Sequence, residues 1–461
     1  MDNRSTARTF KPSILADGFL LAGSAAVALL IFWVLYPVLV PATDAPSSRS
    51  SSSSFSAYVV KPPPPPRVSC SSPATTPPSP NPAGGCTNLR HDPPSPTFYD
   101  DPALTYTVGG PVADWDEKRR AWFDQHPSFQ PGAAERVLML SGSQPKRCRH
   151  PAGDHFLLRA VKNKVDYCRL HGIDFFYNTA LLHPRMFSFW AKIPVVRAAM
   201  VAHPETEWIW WVDSDAIVTD MEFSLPLHKY AAHNLVVHGW PHLVYEKKSW
   251  TSLNAGVFLI RNCQWSMDFL DVWARMGPHS PEYERWGQTL RSEFKDKGLP
   301  ESDDQSGLVY LLRQKDRWAD KIYLESDYYF QGYWVEIVGG LDNATRRYLE
   351  MERRAPELRR RRAEKVTEAY GAAREERLEA EGWRAGRDGK RRPFVTHFTG
   401  CQPCSGERNQ AYAEEECWAG MERALNFADD QVLRSYGFVH PDLMSSADVR
   451  PLPYDFPAAK A

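Results

Sequence analysis

The sequence predicts an α/β sandwich with a mostly parallel sheet, carried behind an N-terminal apolar span and a proline-rich spacer. Short apolar strands alternate with amphipathic helical stretches from about residue 135 onward, the pattern of strands flanked by helices. An uncharged run extends from Phe19 to Val40, and a Ser/Pro-rich stretch separates it from the alternating region. Hydrophobic residues make up 43% of the 461 positions, enough for a packed core. A net charge of −1 gives the whole molecule no electrostatic attraction to nucleic acid.

The N-terminal run is 22 residues long, which suffices to cross a bilayer as a helix and exceeds the apolar core of a signal peptide. Arg4, Arg8 and Lys11 precede it, and only Asp44 and Arg49 follow closely. The positive-inside rule then places residues 1–18 in the cytosol, residues 19–40 as a type II signal-anchor and the rest in a lumen. A cleaved signal is the alternative. Residues 41–100 contain the Ser run 50–54 and Pro62 to Pro66; such a segment cannot bury a core and reads as a disordered stem. A single luminal domain, 101–461, follows.

Within that domain, Val137–Leu140 ends in a Ser-Gly-Ser turn and reads as a buried strand. Phe156, Leu157, Ala160, Val161, Lys164 and Val165 repeat at helical spacing, followed by a strand at Ile173–Tyr177 and a helical stretch near Trp190–Val201. Trp208–Val212 is five apolar residues running straight into Asp213-Ser-Asp215. Further strands are expected at Leu235–His238, Val257–Ile260, Ile322–Leu324 and Phe394–His397. In open α/β sheets ligands bind beyond the carboxyl ends of strands, where the Asp-Ser-Asp triplet falls. Residues 345–392 are rich in interleaved Arg and Glu, and read as a solvated helical insertion.

Two D-x-D triplets occur. Asp114-Trp-Asp116 sits in a polar stretch and reads as a solvated helix start. Asp213 and Asp215 end a buried strand, where two carboxylates are costly unless a cation compensates. Carboxylate oxygens suit Mn²⁺ or Mg²⁺, which can bridge the diphosphate of a nucleotide-sugar and offset charge on the leaving group. His397 ends the Phe394–His397 strand, and imidazole can serve as a further ligand beside carboxylates. Asp303-Asp304-Gln305 opens a helical run, where acids favour the helix dipole or could hold sugar hydroxyls. Eight cysteines include the pair Cys401/Cys404, but no second C-x-x-C or paired-His spacing supports zinc. A luminal disulfide that could involve Cys417 is expected instead. Asn343-Ala-Thr345 is a luminal glycosylation sequon, and Asn3-Arg-Ser5 falls on the cytosolic side.

Several stretches together resemble a known family: Gly153-Asp-His-Phe156, Lys162-Asn-Lys-Val-Asp-Tyr-Cys168, Trp208 to Asp215, Asn262-Cys-Gln-Trp265, Ser302-Asp-Asp-Gln305, Thr396-His-Phe398 and Met421 to Phe427. From about residue 135 to 455 the chain is similar to the plant galactosyl/xylosyltransferases of glycosyltransferase family 34. That resemblance implies a GT-A type (Rossmann-like) catalytic domain, a Golgi location, Mn²⁺ dependence and retention of anomeric configuration. It also implies α-(1→6) branching of β-(1→4)-linked backbones. Carried over by motif, Asp213, Asp215 and His397 look like metal ligands, and Asp303, Asp304 and Gln305 like residues around the donor sugar and acceptor hydroxyl. Gly142, Ser143, Lys192, Ser214 and Gln402 fall at donor-side positions. Xylosyltransferases of the family read C-K-P-C, where this chain has Cys401-Gln402-Pro403-Cys404. With Leu253-Asn-Ala-Gly-Val-Phe258 and Glu282-Tyr-Glu-Arg-Trp286, this looks more like the galactomannan galactosyltransferase branch. The expectation is therefore UDP-galactose and a mannan acceptor, in a homo-oligomer or a hetero-oligomer with other wall-polysaccharide transferases. The alternatives are a xyloglucan 6-xylosyltransferase using UDP-xylose on a β-glucan, and a non-catalytic carbohydrate-binding scaffold.

Overall fold

Strict alternation of side chains along the strands divides the core into two layers. The computed structural model describes residues 98–452, apart from 103, 315–316, 359–366 and 386–388. All of them belong to the unit Leu89–Ala461. The expected anchor and nearly all of the stem lie outside the described residues, as do Asn3, Cys70 and Cys86. No described helix is long and apolar enough to cross a membrane.

In chain order the site-bearing elements are α1 (Trp115–Gln125), β1 (Val137–Gly142), α2 (Gly153–His171), β2 (Asp174–Asn178), α3 (Lys192–Ala202), β3 (Trp208–Val212), β4 (Ala216–Val218) and β5 (Leu235–Gly239). They continue as β6 (Leu253–Arg261), α4 (Gln264–Ala274), α5 (Tyr283–Glu293), α6 (Asp304–Leu312), β7 (Ile322–Glu325) and β8 (Gly332–Tyr333). Further elements are α7 (Leu341–Arg354), α8 (Thr367–Ala380), β9 (Val395–His397) and α9 (Glu414–Tyr436).

The main sheet has the order β2-β1-β3-β6-β5-β7. β6 runs antiparallel to both its neighbours, while the other five strands share one direction. One face carries Leu138, Leu140, Ile209, Trp211, Val237 and Phe258 against α3, α4 and α6. The other carries Val137, Met139, Trp208, Trp210, Val236 and Leu259 against α2 and α9. Helices on both faces explain why β3 is apolar at every position.

Three expectations are corrected. The Phe394–His397 strand is not in the main sheet: β9 pairs antiparallel with β4 in a separate three-stranded sheet, β4-β9-β8. The helical stripe of α2 departs from the expectation at one position: Phe156, Leu157, Ala160 and Lys164 are buried, whereas Val165 is exposed. The charged insertion is not wholly solvated. It encloses a small core of Tyr348, Met351, Leu358, Leu378 and Trp383, and buries Arg374 against Glu222 at 2.8 Å. Arg392 also reaches Glu222 (3.2 Å), so two cations tie the insertion to the chain just past β4.

Cys401 and Cys404 do not pair with each other or present a metal site. Cys401 bonds Cys417 and Cys404 bonds Cys148, which pins the loop after β9 to α9 and to the segment before α2.

Candidate active site

The corner at the end of β3 is fixed by backbone hydrogen bonds from three directions. Asp213 N donates to Gly256 O of β6 (2.8 Å), Ala216 N to Asp213 O (3.1 Å) and Phe398 N to Asp215 O (3.1 Å). Ala216 stands opposite His397 in the β4/β9 pair. These constraints bring His397 Nε2 to 3.2 Å from Asp215 Oδ1 and 3.9 Å from Asp213 Oδ2. One ligand atom from each of the three residues lies within 4.8 Å of the other two. Two carboxylates and an imidazole around one point are a donor set for a hard or borderline divalent cation.

Neighbouring side chains also hold the acid and the imidazole in place. Trp211 Nε1 donates to Asp213 Oδ1 (2.6 Å), and the Gln331 amide bonds His397 Nδ1 (3.2 Å). Groups of this kind orient metal ligands. Burial pulls the His397 imidazole down, but Asp215 and Asp213 reverse this and hold it above its ordinary value. A Cβ at Gly256 would come within 2.6 Å of Asp213 Oδ2 and would also overlap the His397 ring, so only glycine fits beneath the corner.

Lys192 joins this corner to the start of α6. Its buried Nζ lies 3.3 Å from Asp213 Oδ1, 2.8 Å from Asp304 Oδ2 and 3.0 Å from Ala255 O. Burial lowers the ammonium, and the two carboxylates more than compensate, so it stays protonated above the usual lysine range. Asp304 is pushed up to about 6, chiefly by burial, with Lys192 opposing. Asp303 has a different role. Its oxygens accept from Ser306 N (2.8 Å), Ser306 Oγ (2.6 Å) and Lys297 Nζ, making it the N-cap of α6. Gln305 accepts from Asn254 Nδ2 (3.2 Å) and donates to Trp250 O (3.1 Å).

Asp303, Asp304 and Gln305 line a cleft of 860 Å³, whose other walls include Trp240, Trp250, Asn254, Tyr333 and Tyr412. Aromatic faces with a few polar groups are the usual lining of a sugar-sized site. Gly142 and Ser143 close β1, where Ser143 N donates to Asn178 O (3.1 Å). The β1/β3 register, Leu140 opposite Trp211, brings that end level with Asp213. Ser214 is half-buried between the two acids. Gln402 lies outside this lining: it is exposed, and its Oε1 accepts from Ser405 Oγ (3.0 Å). Asn343 is exposed in the first turn of α7.

Sequence reasoning gave no role to Gly256, Asn254 or Gln331. A glycine inside the apolar strand Leu253–Arg261 was a legible sign of close backbone approach. Nothing local marks Gln331.

A family model described as the galactosyl transferase GMA12/MNN10 family matches residues 133–408, which include the whole corner and most of the cleft lining. The chain belongs to this family. It is a glycosyltransferase. Among curated relatives, "Putative glycosyltransferase 7" of Arabidopsis thaliana is 61% identical over 82% of this chain and 84% of its own. "Galactomannan galactosyltransferase 1" of Cyamopsis tetragonoloba is 62% identical over 81% of this chain and 84% of its own. "Probable glycosyltransferase 7" of Oryza sativa subsp. indica is 63% identical over 79% and 82%. A solved glycosyltransferase involved in the glycosylation of the major capsid of PBCV-1 covers 42% of this transferase and 83% of its own chain. It is 18% identical, with a TM-score of 0.28.

Proposed function

We propose that this transferase moves galactose from UDP-galactose onto a mannan-type backbone, with Mn²⁺ at Asp213, Asp215 and His397 and with retention of configuration. The supporting observation is the convergence of two carboxylates and a buried imidazole at a strand end, directly beside an aromatic-walled cleft. The 62% identity to a protein named galactomannan galactosyltransferase 1 favours galactose and a mannan acceptor. The apolar span Phe19–Val40 is proposed as the Golgi signal-anchor, with the catalytic domain luminal.

The bound cation would offset charge growing on the departing diphosphate. The chain's own groups do the rest. Lys192 holds Asp213 and Asp304 at fixed separation, so the metal corner and the donor-sugar end of the cleft form one rigid unit. Asp304, held by that ammonium, faces the space where positive charge would develop at the anomeric carbon. Asp303 is already satisfied by three donors and acts as a helix cap, which leaves Asp304 as the carboxylate available to the sugar. The route proposed is front-face displacement, in which the leaving phosphate would accept the acceptor proton. Trp240, Trp250 and Tyr333 present aromatic surface on which the apolar faces of backbone sugars would stack.

The test is transfer by the purified full chain with Mn²⁺, offering UDP-galactose and UDP-xylose against manno- and cello-oligosaccharides. Galactose on a manno-oligosaccharide is expected. Xylose on a cello-oligosaccharide would replace both donor and acceptor in this proposal. Glycan at Asn343 with none at Asn3 is the matching expectation for topology; the reverse would invert it.

A further inference from the structure

The stretch Lys162-Asn-Lys-Val-Asp-Tyr-Cys168 carries part of the family resemblance, yet none of it lines the cleft. It lies in α2, against the outer side of β4. β4 is an edge strand: β9 covers one side, and among the described residues no strand covers the other. An open edge leaves backbone donors and acceptors that must find partners when buried. Here α2 supplies them from side chains.

The Asn163 amide donates to Val218 O (2.9 Å) and accepts from Val218 N (2.8 Å), the exchange that a neighbouring strand would make. Lys164 Nζ donates to Ala216 O (2.7 Å), and the Tyr167 hydroxyl to Phe223 O (2.8 Å). All three side chains are buried. Ala216 is the residue directly after Asp215 and stands opposite His397. The place of β4 is therefore the place of two members of the triad.

Lys164 is unusual in a second respect. It is completely buried, and the hydrogen bond to a neutral carbonyl does little to balance its charge. Burial pulls it down to about 8, against the opposing pull of Asp215 and Asp213. Lys192 contacts Asp213 directly (3.3 Å), while Lys164 Nζ is held at the Ala216 carbonyl, one residue past Asp215.

We propose that Asn163 and Lys164 are positioning residues of the metal-binding corner. The amide fixes the place of β4 and so of Asp215, and the ammonium is a resident counter-charge holding the two acids together when no divalent cation is bound. This rests on reading Asp213, Asp215 and His397 as a divalent-cation site, as proposed above.

Two readouts test it on the purified full chain: Mn²⁺ titration followed by electron paramagnetic resonance of the free ion, and thermal unfolding in EDTA and in saturating Mn²⁺. Asn163→Ala should bind Mn²⁺ about tenfold more weakly, the usual cost of losing a group that orients a ligand. Lys164→Met should lose more unfolding temperature in EDTA than in Mn²⁺, so that its metal-induced rise exceeds that of the wild type. Lys162→Met should leave Mn²⁺ affinity unchanged, because its ammonium pairs with Asp166 (2.6 Å) and Asp429 (2.7 Å) away from β4. If Lys164→Met does not fold in EDTA, Lys164→Gln, which keeps a donor without the charge, supports the same comparison. Equal losses with and without Mn²⁺ at position 164, together with wild-type affinity in Asn163→Ala, would overturn the inference and leave these residues only a packing role. A wild-type chain that binds no Mn²⁺ would overturn the metal reading itself, a different and distinguishable failure.

Discussion

Two D-x-D triplets of the same chain meet opposite fates. Asp114 and Asp116 are exposed at the start of α1, and the residue between them is the one that is anchored. Trp115 is fully buried, with its Nε1 donating to Asn262 Oδ1 and its backbone N to Gln264 Oε1, both at 2.7 Å. Asp116 accepts from Gln264 N (2.9 Å), the first residue of α4. At the other triplet the arrangement is inverted: Ser214 is spacer, and the acids face His397 and Lys192. The spacing of carboxylates is the same in both. What differs is the element before them, a polar turn in one case and a buried strand in the other, and therefore which groups can reach them.

The largest contrast is in activity. Asp213→Ala or Asp215→Ala should lower transfer by roughly 10³-fold or more, the equivalent of several kcal/mol of lost charge stabilisation. Asp114→Ala should stay near the wild-type rate in the same assay. Equal losses at both triplets would break the distinction. For stability the ranking reverses. Trp115→Ala should cost about 3–5 kcal/mol in denaturant unfolding, with the rate of the folded fraction unchanged.

A fifth acid sharpens the comparison, since it is buried without facing the corner. Asp220 follows β4, and its carboxyl is pushed up to about 6 by burial, against the pull of Arg392 and with Glu222 reinforcing the rise. The folded chain thus holds this proton more tightly than the unfolded one. Its contribution to stability is complete below about pH 4 and disappears as pH rises through about 6. Asp220→Asn should remove that component, on the order of 1–3 kcal/mol across the window, as read by unfolding from pH 4 to 7. The smallest effect is expected for Asp116→Ala, about 0.5–1 kcal/mol for a lost cap on α4.

What the sequence disclosed follows from distance along the chain. The strand Trp208–Val212 was legible to the residue, because five apolar positions ending in two acids leave little choice. β6 was legible as a strand but not as antiparallel, since a run buried on both faces carries no sign of direction. The Cys148–Cys404 bond spans 256 positions, and no local pattern could select it. Lys164 entered the sequence reading as one step of a helical repeat, although it lies under a strand that begins 52 positions later. Arg374 looked like surface charge for the same reason: its partner Glu222 is 152 positions away. Asp303 and Asp304 are adjacent and chemically alike, yet one caps a helix and the other faces Lys192, a division set by the turn into α6.

The central claim is that the β3 corner binds donor through a divalent cation, and calorimetric titration of UDP-galactose into the full chain tests it most directly. With Mn²⁺ present, binding should be clear in the wild type and in Asp114→Asn, and lost in Asp213→Asn. In EDTA it should be lost in all three. Equal affinity for UDP-galactose with and without Mn²⁺, or undiminished affinity in Asp213→Asn, would contradict it.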